Sequence, residues 1–241
     1  MSFQTVFKRY ELKYMLTVQQ KDKIIEAIKP YMELDRYGRT TIRNLYFDTD
    51  TYLLIRRSIE KPEYKEKLRI RSYERADADS TVFVELKKKY KSVVYKRRIS
   101  LSQQEAIWWI SKEKHCSKNT QISAEVDYFL DYYKTLKPTV FLSYEREAFY
   151  SKDSSDFRIT FDDNILFRQE NLSLDSDVYG TPLLPKGIVL MEIKCSGGIP
   201  LWLTEILSEE HIYKTSFSKY GTAYRNFIFP QIYHSAAHFI R

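Results

Sequence analysis

Cysteine is almost missing from this 241-residue chain; Cys116 and Cys195 are the two it has. Two thiols cannot build a disulfide framework, and their spacing fits no zinc or iron–sulfur motif. A reducing compartment, the cytoplasm, is the simplest expectation. Glycine and proline are also scarce, at six and seven. They nowhere gather into a linker, so a single domain over residues 1–241 is expected. No apolar run approaches the ~20 residues a membrane-crossing helix needs. The opening MSFQTVFKRY lacks the apolar stretch of a secretory signal.

What remains is a chain able to fold around a sizeable core, with 43% hydrophobic and 15% aromatic residues. The 39 Lys and Arg against 32 Asp and Glu leave a formal charge of +7. That excess favours an anionic partner without choosing among nucleic acid, membrane and phosphate.

The excess is concentrated between Tyr64 and Leu101, which reads as three consecutive strands. Side chains alternate across a strand, so a spacing of two means a shared face. YKEKLRIRSY puts Lys67, Arg69 and Arg71 on one face; VFVELKKK puts Glu85, Lys87 and Lys89 together; VVYKRRISL does the same for Lys96 and Arg98. Leu68, Ile70, Val82, Val84 and Leu86 occupy the other side, which suits a core. Two like charges ~6 Å apart repel by roughly 3 kcal/mol at an effective dielectric of about 20. Such a face needs either open water or a bound anion, and the alternation allows both a solvated sheet face and a closed barrel holding a polyanion.

Elsewhere, FKRYELKY (7–14) is a strand with Phe7, Arg9, Glu11 and Lys13 on one face. Thr17 can cap a helix through Ile24, Ile25 and Ile28, which Pro30 helps end. Residues 42–50 form a buried strand, and Asp48 or Asp50 can cap the short helix 51–59. Helices follow at 101–114, with Ser102 and Glu105 as a capping box, and at 122–136. Strands 140–150 and 157–165 form a hairpin that carries Arg146 and Arg158. Residues 166–186 read as an irregular connection. The strand 187–198 carries Glu192 and Lys194, and repeats the Glu-x-Lys of Glu11–Lys13 and Glu85–Lys87. Helix 199–210 and a turn into a final helix at 217–227 complete the chain. Ser218 and Lys219 stand at the start of that last helix, a position that suits phosphate. The aromatics fall on apolar faces and are not interleaved with the cations, so nucleic acid is not expected.

The ordered series FKRYELKY, LYFDT, KEKLRIRSY, VFVELKKK, VVYKRRI, SYEREAF, FRITFD, LMEIK and FSKYG resembles the VTC domain over nearly the whole chain. That domain is the catalytic module of the vacuolar transporter chaperone polyphosphate polymerases, within the CYTH-like triphosphate tunnel metalloenzymes. The resemblance implies an α+β fold: an antiparallel eight-stranded β-barrel around a tunnel, with helices packed outside. It implies transfer of the γ-phosphoryl group of ATP to a growing polyphosphate chain, with Mn²⁺ or Mg²⁺. Carried over by position, the phosphate-holding residues are Lys13, Arg69, Arg71, Lys87, Lys96, Arg146, Arg158 and Lys219. Ser218 joins them as Lys219's neighbour, and Arg98 because it shares a face with Lys96. Glu192 falls on the metal-binding glutamate; Glu11 and Glu85 either assist it or are salt-bridged to nearby cations. The wider group has Glu-x-Glu-x-Lys in the first strand, whereas this chain has Arg9-x-Glu11-x-Lys13. One metal-binding carboxylate is thus missing, which fits the polymerase branch better than a two-metal triphosphatase. A tripolyphosphatase or nucleoside triphosphatase, and a non-catalytic polyphosphate- or inositol-phosphate-binding module, remain open. Eukaryotic relatives work in a membrane complex, so any such partner of this chain is expected to be a separate protein.

Overall fold

The structure, a computed structural model, describes residues 10–91, 93–153 and 156–232; Phe7 and Arg9 of the expected first strand lie outside them. The strands are β1 Tyr10–Thr17, β2 Met32–Leu34, β3 Thr40–Asp48, β4 Tyr64–Ser72, β5 Thr81–Tyr90, β6 Val93–Ser102, β7 Lys137–Ser151, β8 Arg158–Arg168, β9 Thr181–Pro182, β10 Ile188–Cys195 and β11 Lys214–Thr215. Eight of them have eight residues or more, the number expected. The helices are α1 Val18–Ile28, α2 Leu53–Ile59, α3 Gln103–Ile110, α4 Gln121–Tyr132, α5 Leu201–Glu209 and α6 Lys219–Ala223; a π-helical turn, Tyr224–Ile228, follows α6. The architecture is α+β, and every described strand pairing is antiparallel.

The chain divides into two compact units. The first comprises residues 1–42, 143–165 and 184–217. Its strands run β11-β1-β10-β8-β7, with β2 on β7. One face packs against α1 and α5: Leu16, Met191, Ile193 and Ile159 meet Ile24, Ile28, Leu203 and Leu207 in one buried cluster. Thr17 caps α1 as the sequence indicates, in a reciprocal capping box with Gln20.

The second unit comprises residues 43–142, 166–183 and 218–241. Its path runs β3-β4-β5-β6. Leu68, Ile70, Val84, Leu86 and Ile99 on one face bury Trp109, Val126, Phe129 and Leu130 of α3 and α4. Ser102 and Glu105 form the expected capping box, although α3 stops at Ile110, short of the expected 114. Asp48 is fully buried; its carboxylate accepts from the amides of Thr49, Leu54 and Ile55 and from the Tyr220 hydroxyl. The helix 51–59 begins at Leu53, after Tyr52 in a left-handed conformation, and Asp48 supplies its cap from outside the helix. Asp50 instead pairs with Lys137 at 2.5 Å.

Residues 166–186 are more ordered than expected. β8 runs on to Arg168, and β9 pairs back onto it. The cause is the buried Arg168 guanidinium, stacked 3.7 Å from the centroid of the Phe141 ring and 4.3 Å from that of Tyr179. It donates to the carbonyls of Glu170, Asn171, Ser173, Asp177 and Tyr179 and to the Ser176 hydroxyl, so carbonyl dipoles hold the loop around a charge. The last helix also differs: α6 spans five residues before it widens into the π-helical turn.

Candidate functional site

In the second unit, the pleat places Arg69 and Arg71 of β4, Glu85 and Lys87 of β5, and Lys96 and Arg98 of β6 on one face. Register brings them side by side: Arg69 lies opposite Glu85, Glu85 opposite Arg98, and Lys87 between Lys67 and Lys96. Glu85 is 1% exposed and sits at the centre of the cations. Arg69 donates to it at 2.6 and 2.8 Å, Lys96 reaches it at 2.7 Å, Arg98 at 2.8 Å and Arg71 at 4.0 Å. Burial alone would raise its carboxyl; Arg69, Arg71, Lys96 and Arg98 outweigh that and hold it well below the usual carboxylate range. Of the two roles the sequence left open for Glu85, the geometry shows the ion-paired one.

Other partners fix the cations. Arg69 donates to the Tyr46 hydroxyl at 2.9 Å, and Arg71 to the side-chain amide oxygen of Asn44 at 2.9 Å. Arg98 lies over the Phe83 ring and donates to the Tyr73 hydroxyl at 2.6 Å. Although 43% of the Lys96 side chain is exposed, desolvation of its ammonium lowers it to about 7; Glu85 opposes that shift, while Arg71, Arg69 and Arg98 add to it. Lys88 and Arg97, on the opposite face, bind Glu125 of α4. Ser218 accepts from Lys67 at 3.3 Å and from the Gly221 amide at 3.2 Å, so it caps α6 and places Lys219 at that helix's start. Five helical residues are too short to act as an anion site in their own right. Ser218 joins the cluster through Lys67, and Lys219 follows it in sequence.

The first unit gathers the remaining residues. Lys13 faces Glu192 in register at 3.4 Å, and its ammonium donates to the Phe217 carbonyl at 2.7 Å. Glu11 faces Lys194, and Lys194 faces Arg158. Glu192 is 8% exposed and accepts from Lys194 at 3.1 Å. Burial lowers Lys194 to about 8; Glu192 and Glu11 resist that shift, while Arg146 and Arg158 reinforce it. Arg146 forms a two-pronged pair with the fully buried Asp162, at 2.6 and 2.7 Å. Burial disfavours the Arg146 charge, but Asp162, with Tyr144 and Glu192, outweighs it and raises the group well above its ordinary value. Arg158 stacks 4.6 Å from the centroid of the Tyr150 ring. A cavity of about 370 Å³ in this unit, among Tyr31, Phe157, Cys195 and Trp202, opens at the opposite parity from Lys194 and takes no part in the cluster.

The structure therefore brings Arg69, Arg71, Glu85, Lys87, Lys96, Arg98, Ser218 and Lys219 together in one unit, and Glu11, Lys13, Arg146, Arg158 and Glu192 in the other. Sequence reasoning put Lys67 on the charged face without choosing it for the site, and it missed Asn44 and Tyr46 as members of the first group and Asp162 as the partner of Arg146. Parity put Asp162 on the face of Arg158 but could not pair it with Arg146 on another strand; Asn44 and Tyr46 follow only from the β3–β4 register.

The class is defined by an antiparallel α+β fold in which arginines and lysines pair with buried carboxylates on the strands of each unit. The chain belongs to the VTC domain family, whose model matches residues 8–228. It is 24% identical over 269 residues to vacuolar transporter chaperone complex subunit 4 of Trypanosoma brucei brucei, a match that takes in 90% of this chain and 34% of the relative. The chain thus spans about a third of that relative's length. Its fold is similar to the crystal structure of a protein from Bacillus halodurans provisionally assigned as an adenylate cyclase, with a TM-score of 0.54 and 17% identity over 88% of this chain and 94% of the other. Among the described residues no helix is long and apolar enough to cross a membrane.

Proposed function

We propose that the chain is a polyphosphate polymerase that transfers the γ-phosphoryl group of ATP to the end of a polyphosphate chain. The observation that carries this reading is the charge around Glu85: one buried carboxylate among four cations, with Lys67 and Lys87 alongside. That excess suits a ligand with several negative charges in a row, and family membership supports the same ligand. The family match over residues 8–228 also supports treating the two units as one functional domain, and the two free thiols favour the cytoplasm.

Phosphoryl transfer proceeds through a loose transition state, so positioning and charge neutralisation provide most of the rate. A terminal oxygen of the acceptor chain forms a bond to the γ-phosphorus, the bond to the bridging oxygen breaks, and ADP leaves with that electron pair. No side-chain nucleophile is needed. In this reading Lys13, Arg69, Arg71, Lys87, Lys96, Arg146, Arg158 and Lys219 hold phosphate oxygens, the arginines as planar two-pronged donors and the lysines as point charges. Glu85 positions the guanidiniums of Arg69 and Arg98.

Among the described residues no three His, Cys, Asp or Glu side chains gather as a metal site. The largely buried Glu192 carboxylate fits an ion that takes one or two carboxylates and completes its shell with phosphate and water, as Mg²⁺ does. Glu192 would hold Mg²⁺ or Mn²⁺, with Glu11 two residues from Lys13, the residue opposite Glu192, on the same face. When bound, the ion neutralises phosphate charge.

Incubation of the protein with ATP and Mg²⁺ or Mn²⁺, followed by sizing on a gel, tests the reading. Long polyphosphate appearing together with ADP is the expected result. Free phosphate with ADP and no chains would establish a hydrolase instead, and tight polyphosphate binding with no turnover a binding module.

Lys96 gives a second expected outcome. With its ammonium near 7 in the free protein, a phosphate drawn into the cluster restores the charge, so binding at pH 8 takes up a proton. Titration calorimetry in buffers of different ionisation enthalpy should show more proton uptake for the wild type than for Lys96→Arg, whose guanidinium stays charged. Equal uptake would remove Lys96 from the phosphate-holding set.

A further inference from the structure

The cationic face of β4 and β5 does not end at Arg69. Lys67 lies opposite Lys87, and one step further Lys65 lies opposite Lys89. All four are of the same parity as Arg69 and Glu85, so they share that face, spaced about 6.6 Å apart along each strand. The other parity differs in kind: Glu66 there is buried and accepts from Tyr64 and Tyr133, and Lys88 pairs with Glu125.

Directly opposed like charges on a sheet are unfavourable, and here two lysine pairs stand in succession. Lys65 registers the crowding. Burial lowers its ammonium, and the further causes are all cations: Lys89, Lys61 and Lys87. Lys65 donates to the Ser58 carbonyl at 3.0 Å, which holds the ammonium at the face without neutralising it. From Arg71 to Lys65 the face extends about 20 Å along β4, more than a triphosphate spans.

We propose that Lys65, Lys67, Lys87 and Lys89 form a lane for an extended inorganic polyanion, continuing from the Arg69–Arg71–Glu85 centre. The lane takes chain phosphates remote from the reacting end. It rests on the polymerase reading and adds the site at which chain length is sensed. Its lysines stand apart from the exposed tyrosines at the strand ends, because Tyr64 and Tyr90 have the other parity. Between these four lysines the two strands place no aromatic residue of the same parity, which favours inorganic chains over nucleic acid along the lane.

The test measures binding without ATP or metal, at several salt concentrations, for tripolyphosphate, long-chain polyphosphate and a single-stranded oligonucleotide of matched charge. The wild type should bind the long chain more tightly than tripolyphosphate. Lys65→Gln with Lys89→Gln should weaken the long chain about tenfold and reduce its log–log salt slope by between about one and two. Tripolyphosphate should change by less than about twofold, since the Arg69–Glu85 centre is untouched. Lys89→Gln alone, and the double lysine-to-arginine variant, guard against a folding defect; the first should give part of the loss and the second none. Equal losses for both phosphates, no loss for either, or an equal loss for the oligonucleotide would overturn the lane. A protein that binds long chains through these lysines yet makes none from ATP would keep the lane and lose the polymerase reading. Failure of the wild type to bind either phosphate would end both.

Discussion

Glu85→Gln is expected to lower the melting temperature by roughly 10 °C. Removing one member of a buried ion pair costs about 3–5 kcal/mol, and a domain of this size loses about 2–4 °C for each kcal/mol. The estimate takes the lower end of the energy range, because Lys96 and Arg98 are 43% and 34% exposed and water screens part of their charge. The pH dependence has a definite sign. The Glu85 carboxyl is held well below its usual value of 4.5 in the folded protein, so its stabilisation is complete above that value and fades as pH falls through the folded one. Wild type and variant should therefore converge in acid and differ most near neutrality. Added tripolyphosphate should stabilise the variant more than the wild type, because the variant's cations have lost their internal anion. Scanning calorimetry at pH 7 and pH 3, with and without the anion, reads all three. A variant that melts with the wild type at pH 7 would show that Glu85 does not organise the cluster.

Glu192→Gln should reduce chain synthesis by at least about a hundredfold in kcat while leaving metal-free tripolyphosphate binding intact or slightly tighter. The substitution keeps shape and removes one negative charge from a face that also carries Lys13, Lys194, Arg146 and Arg158. Lys194, now near 8 with Glu192 supporting its charge, should titrate lower in the variant. The alkaline loss of anion binding should then begin at a lower pH. Retained synthesis would exclude Glu192 as the metal ligand; a matching loss of synthesis and metal-free binding would make it a structural residue.

Much of this was legible in the amino-acid order because strands announce their faces. The alternation through Lys67, Arg69, Arg71, Glu85, Lys87, Lys96 and Arg98 assigned one face to charge, and the register confirms the grouping. Caps were equally readable at Thr17 and Ser102, where a side chain and a partner three residues on suffice. Arg146 was not. Its strand neighbours Leu142 and Tyr144 are uncharged, and its partner Asp162 lies on a different strand, beyond the reach of local parity. Arg168 went unnoticed for a related reason: its partners are main-chain carbonyls, which leave no trace in residue identity. Whether Glu85 binds metal or cations depended on three-dimensional proximity to four side chains from two other strands, which alternation alone could not rank.

Asp48 gives the chain's tail an importance its position hides. The same carboxylate that starts α2 also holds the phenol of Tyr220, whose ring packs against Tyr46, the hydroxyl partner of Arg69. Proteolytic clipping just ahead of Tyr220 would therefore remove a donor from a sealed carboxylate and a wall from behind an arginine, and the damage would surface on β4, seven strands back in sequence from the cut.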